Sequence, residues 1–187
     1  MNIKEARALL QEVRPYFYRY PEAVKVYIHW TAGDYETTFD DYHFCITGDG
    51  DIKNTRDLKS VPAATYRRNT GSIAIAICAC KGAEAYAGDP NYARLGDYPP
   101  TDDQLDACAL LMAAISDIFG ISLDVTHFMT HGEAADNADG EYFHEPYGQS
   151  STCERWDLAV LDEGTTWGQG GNILRGMAAY AQTHGLD

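Results

Sequence analysis

The segment Ser72-Ile73-Ala74-Ile75-Ala76-Ile77-Cys78-Ala79 constrains the fold more than any other part of the chain. It shows no apolar–polar alternation, so a strand built from it has no face to give to water and belongs in the middle of a covered sheet. The longest apolar stretch, Ile73 to Cys80, is far short of the roughly 20 residues a membrane span requires. The rest of the fold has to be assembled around a buried strand in a chain that does not cross a bilayer by helix.

Helix-like and strand-like periods alternate on either side of it. Ile3 to Val13 places Ala6, Leu9, Leu10 and Val13 on one helical face. Val24 to His29 reads as a buried strand. Tyr42 to Thr47 and Ile52 to Asn54 flank Gly48-Asp49-Gly50-Asp51 and read as a hairpin. Lys81 to Pro100, with little apolar periodicity, reads as a long loop. Thr101 is a candidate N-cap, Asp102 and Asp103 fill the first turn, and Gly120 follows the last, which defines the clearest helix. Leu123 to Thr130 reads as a strand and Asn172 to Gln182 as a terminal helix. This order predicts a single α/β domain over residues 1–187, a central mixed β-sheet flanked by helices. Its core is expected at about residues 20–162 and its terminal helix at about 171–183.

The chain carries 14 basic and 28 acidic residues, a net charge of -14. A nucleic-acid-binding role is disfavoured, because phosphate contacts need a basic surface. The N-terminus lacks the basic-then-apolar order of a signal peptide, so synthesis in the cytoplasm without an export signal is expected. The five cysteines show no disulfide framework. Cys45, Cys78, Cys80 and Cys108 fall in apolar runs and read as buried fillers. Cys153 differs, lying among Ser150, Ser151, Thr152, Glu154 and Arg155.

Three separated residues carry the candidate chemistry. His29 ends a hydrophobic run that opens into Trp30-Thr31-Ala32-Gly33. His131 ends a second, just before Gly132-Glu133, and Cys153 lies in a polar loop. Two imidazoles, a thiolate and an open fourth position describe a catalytic zinc site. His127, four residues before His131, competes with it for the metal, or supports it, on either a helix or a strand. The His-Glu-x-x-His pattern is absent, which disfavours that class of metalloprotease.

Several segments together resemble the zinc-dependent N-acetylmuramoyl-L-alanine amidases of the type-2 class, the superfamily of phage lysins and peptidoglycan recognition proteins. They are Ile28-His29-Trp30-Thr31-Ala32, Tyr42-His43-Phe44 with Asp49-Gly50, Asn69-Thr70-Gly71-Ser72-Ile73, Thr130-His131-Gly132-Glu133 and Cys153-Glu154-Arg155-Trp156-Asp157-Leu158. The resemblance implies one Zn2+ held by His29, His131 and Cys153, and hydrolysis of the amide between N-acetylmuramic acid and L-alanine in bacterial peptidoglycan. It singles out His131 over His127 and implies Tyr42 as the tyrosine near the metal. Glu133 would orient a ligand histidine or shuttle a proton. A phage or prophage lysin that acts on the cell wall after release is the expected biology, with no nucleic-acid partner and no membrane insertion. Ala64 stands where many relatives place a histidine, and Ser151 where some place a lysine two residues before the third ligand. Arg67, Arg68 or His127 are the candidate replacements. Tyr86, Tyr92, Tyr98, Tyr142 and Tyr147 are candidates for a substrate groove. Two alternatives stay open: a peptidoglycan-binding module with little turnover, and a cysteine hydrolase pairing Cys153 with His131 or His127.

Overall fold

A computed structural model of the chain describes residues 1–17, 23–86, 89–142 and 155–184. Helix α1 spans Ile3–Val13, followed by a 3-10 turn at Arg14–Tyr16. Strands β1 (Lys25–Trp30), β2 (Phe44–Ile46), β3 (Ile52–Asn54) and β4 (Ser72–Ile77) come next. A hairpin, β5 (Glu84–Tyr86) and β6 (Asp89–Arg94), precedes helix α2 at Asp102–Phe119. Strand β7 (Phe128–Thr130) runs directly into a short helix α3 (His131–Ala135), and helix α4 covers Gly170–His184.

The main sheet is mixed, in the order β3-β2-β4-β1-β7, with the apolar run Ser72–Ile77 at its centre as its composition requires. β4 pairs in parallel with both β1 and β2, β1 pairs in parallel with β7, and β3 closes the edge antiparallel to β2.

The two faces of this sheet differ in side-chain size. Val26, Ile28, Phe44, Ile46, Ile73, Ile75, Ile77 and Phe128 project into one core with Leu10 of α1, Leu111, Met112 and Ile115 of α2, and Leu174 of α4. The opposite face carries Tyr27, Cys45, Ala76, Cys78 and Met129 in smaller clusters. His29 is registered with Ala76 and Ala76 with Cys45, so these three side chains form one row across that second face. Helices α1, α2 and α4 cover the bulky face, and the short α3 packs Ala134 against Tyr27 and Met129 on the face that holds His29.

Helix α2 begins and ends where its sequence signals lie. Thr101 Oγ1 accepts from Gln104 N–H in a capping box, and Gly120 closes the helix in the left-handed region that favours glycine. Gln104, fully buried, donates from Nε2 to the carbonyls of Ile46 (3.0 Å) and Cys78 (2.8 Å), fastening the helix start to β2 and β4.

Two expectations are corrected. The stretch 81–100 is not all loop: it folds into the β5–β6 hairpin, with Glu84 opposite Arg94 and Ala85 opposite Ala93. The strand expected from Leu123 starts only at Phe128. Asp124 Oδ1 accepts from the N–H groups of Thr126 (3.0 Å) and His127 (3.1 Å), and its carbonyl accepts from Phe128 N–H (2.9 Å). This Asp-centred turn out-competes strand geometry over those residues.

Candidate metal centre

His29 is the fifth residue of β1 and is 1% exposed, placed by ladders on both sides of its strand. His131 is the first residue of α3. Thr130 caps that helix, and Glu133 returns a bond to Thr130 N–H at 3.0 Å, so the chain turns sharply from β7 and delivers the imidazole at the corner. The two rings lie 4.5 Å apart, centroid to centroid.

The third member of the cluster is Asp157. Its Oδ2 lies 3.5 Å from His29 Nδ1 and 3.4 Å from His131 Nδ1, and one ligand atom from each of the three residues falls within 4.8 Å of the others. Neighbouring groups hold it there. Gly132 N–H donates to Asp157 O at 3.3 Å, and the rings of Trp156 and Trp30, each adjacent to a triad residue, meet edge to face at 4.5 Å. Leu158 adopts a positive φ of 61°, a conformation costing roughly 1–3 kcal/mol for such a side chain, directly after the carboxylate.

These distances are informative. A carboxylate paired with a protonated imidazole closes to about 2.7–2.9 Å, and neither contact does so. Bonds of about 2.0–2.1 Å in a tetrahedral zinc site set neighbouring ligand atoms roughly 3.3–3.4 Å apart, close to the spacing seen. Thr65 Oγ1 lies 3.1 Å from His29 Nε2. Thr65 Oγ1 can accept from Nε2–H, leaving the Nδ1 lone pair toward Asp157, or donate to Nε2, leaving Nδ1–H toward Asp157. The first tautomer is the one that can take a cation, and the second is the one that pairs with the carboxylate without it. His131 meets Asp157 through Nδ1, while its other ring nitrogen, Nε2, is buried with no hydrogen-bond partner among the described residues. Two imidazoles and a carboxylate form a donor set suited to zinc.

The electrostatics agree. Burial, and then the neighbouring His131, push His29 down from 6.5 to about 4, so it is a neutral donor near pH 7. Burial alone would raise Asp157, but His131 and His29 hold it well below the usual carboxylate range. Tyr42 packs with its ring centroid 5.2 Å from that of His29, and burial, then Asp157 and Asp41, push its phenol above its ordinary value. It therefore stays a protonated donor. The next residue, His43, is itself tied down: its Nδ1 accepts from Ala74 N–H (3.1 Å), and its Nε2 lies 3.0 Å from Ser60 O.

A family model for N-acetylmuramoyl-L-alanine amidase matches residues 20–150, well over half of the chain. The chain belongs to the N-acetylmuramoyl-L-alanine amidase family. Among solved structures, the endolysin N-acetylmuramoyl-L-alanine amidase LysCS from Clostridium intestinale is 18% identical, over 63% of this chain and 73% of that one, with a TM-score of 0.44. The Ph2119 endolysin from the Thermus scotoductus bacteriophage Ph2119 is 17% identical, over 59% of this chain and 71% of that one, with a TM-score of 0.42. No curated protein matches the chain.

Within this amidase-family site, the expected residues have the following places. His29, His131 and Tyr42 come together. Cys153 and Tyr147 lie outside the described residues. Glu133 is not turned to the triad: both its oxygens take Arg175, at 2.7 and 2.8 Å, and one also caps α3. A role in orienting a ligand histidine or shuttling a proton was expected of this carboxylate; it is paired with Arg175 and caps the helix that begins at His131. His127 pairs with Asp124 at 2.9 Å, and Arg68 with Asp139 at 2.7 Å, so neither replaces the histidine absent at Ala64. Arg67 lies over the Tyr66 ring. Tyr98 packs edge-on against Tyr35, and Tyr142 is exposed.

Asp157 and Thr65 were not singled out by sequence reasoning. A signal existed for Asp157: a carboxylate set between Trp156 and Leu158 is drawn into the interior with them, and buried charges need partners. Nothing in the sequence distinguished Thr65.

Proposed function

We propose that the chain is a zinc-dependent N-acetylmuramoyl-L-alanine amidase acting on peptidoglycan, with His29, His131 and Asp157 holding the metal. The observation that carries this reading is the convergence of both Nδ1 atoms on Asp157 Oδ2 at 3.5 and 3.4 Å. When bound, zinc supplies Lewis acidity to the scissile carbonyl and lowers the pKa of water near it. Tyr42, kept protonated, donates a hydrogen bond to the oxyanion that develops as the carbonyl is attacked. Thr65 fixes the rotation of His29, and the Trp30–Trp156 contact holds the two ligand segments together. Counted from Asp157, the position two residues earlier is Arg155, a basic residue where the register of Cys153 has Ser151. Among the described residues no helix is long and apolar enough to cross a membrane, compatible with a lysin that reaches the wall after release.

The test combines metal analysis with release of stem peptides bearing a free L-alanine amino terminus from purified peptidoglycan. Wild type is expected to hold one zinc and to release peptides in a chelator-sensitive way. Asp157→Asn should lose the metal and the activity, while Cys153→Ser keeps both. Full zinc in Asp157→Asn with loss in Cys153→Ser would assign the third ligand to Cys153 instead. Wild-type protein that releases no such peptides with zinc supplied would sink the amidase reading.

A further inference from the structure

Helix α4 contributes nothing to the triad, yet it touches the segments that carry two of its members. Arg175, 8% exposed, donates from Nη1 to Phe128 O (2.8 Å) and Glu133 Oε2 (2.8 Å), and from Nη2 to Glu133 Oε1 (2.7 Å) and Asn172 Oδ1 (2.6 Å). Phe128 precedes His131 on β7, and Glu133 follows it on α3. One guanidinium thus spans the strand-to-helix corner on which His131 sits.

The start of the same helix rests on the other segment. A Cβ at Gly170 would overlap the carbonyl oxygen of Leu158, the residue after Asp157, and a Cβ at Gly171 would overlap the Glu133 carboxylate. The N–H groups of Gly168 and Gly170 both donate to Ala159 O, at 2.9 and 3.2 Å. Backbone contact this close needs glycine at Gly170, whereas a Cβ at Gly171 would push the Glu133 carboxylate aside. Gly170 is therefore seated on the Asp157 segment, and Gly171 with Arg175 on the His131 segment.

We propose that Gly170, Gly171 and Arg175 are positioning residues: α4 fixes the separation of His131 from Asp157 and so sets the metal affinity of the site. The inference rests on the metal reading above. Stability alone explains the arrangement poorly, because a buried ion pair gives little over an apolar pair of similar volume. A two-pronged guanidinium supplies defined geometry instead.

Co(II) titration of the metal-stripped full chain tests this, with the dissociation constant read by chelator competition and the coordination by visible absorption at saturation. Arg175→Met is expected to weaken binding by about 10- to 100-fold, as for other groups that orient ligands, and to alter the absorption band. Gly171→Ala, which displaces Glu133, should move both readouts the same way. Leu10→Ala, a core truncation on α1, should lower the melting temperature but leave affinity and band as in wild type. If Arg175→Met fails to fold, Arg175→Lys replaces it. It keeps the charge but cannot span Phe128 and Glu133 with two prongs, and several-fold weaker binding is expected. Unchanged affinity and band in Gly171→Ala and in the folded Arg175 variant would overturn the proposal. Wild-type protein that takes up neither Co(II) nor Zn(II) would overturn the metal reading instead.

Discussion

His29 should make the metal-free protein sensitive to mild acid. Burial and the neighbouring His131 lower it from 6.5 to about 4. Between those values the unfolded chain takes up a proton that the folded chain refuses. The contribution is therefore fully present above 6.5 and is lost as pH falls toward 4. At about 1.36 kcal/mol per pH unit the whole effect is about 3 kcal/mol, and about 2 kcal/mol of it is gone by pH 5. Asp157 acts in the same direction only at lower pH, near its unfolded value of 3.8, so the interval from pH 8 to 5 isolates the histidine. Urea unfolding of chelator-treated wild type and His29→Gln at pH 8, 7, 6 and 5 measures the difference. Both proteins share His43, whose value is also lowered by burial, so its contribution cancels in the comparison. Wild type should lose about 2 kcal/mol more than the variant over that range. Parallel curves would refute the argument that His29 is held neutral by its surroundings.

Other outcomes follow from the same contacts. Thr65→Val removes the hydroxyl beside His29 Nε2 and should weaken zinc binding about tenfold with the fold retained, measured by chelator competition. Tyr42→Phe should keep its zinc and lower kcat by roughly 10- to 1000-fold; an unchanged rate would remove the phenol from the mechanism. Glu133→Ala strands a buried Arg175 and should cost about 3–5 kcal/mol in denaturant unfolding. A loss below about 1 kcal/mol would mean that the pair is effectively solvated.

Periodic and capping signals made most of the fold legible. The apolar run at Ser72 marked the central strand, and Thr101 and Gly120 marked the limits of α2, because these effects are local. The buried state of Cys45, Cys78, Cys80 and Cys108 was legible for the same reason. The Asp124 turn was not, since a side chain there overrides residues whose composition favours a strand. At the site, His29 and His131 stood out because they end apolar runs. Asp157 did not, because its role depends on a backbone bond to Gly132 and on Trp30 meeting Trp156 across the fold. Glu133 looked catalytic from its nearness in sequence to His131. Only the return of α4 from 42 residues away shows where its charge is spent.

The unequal faces of the main sheet divide the tolerance of the chain to change. On the helix side, trimming Ile75 or Ile77 opens a void, and the penalty registers as lost stability. Across the ladder, Ala76 separates His29 from Cys45 and is fully buried. An added methyl there has little room except toward its neighbours in the row. The same one-carbon edit is thus a thermal matter on one side of the ribbon and a question of aim on the other. Variation that the helix-side core absorbs at a cost in stability should find Ala76 closed to it.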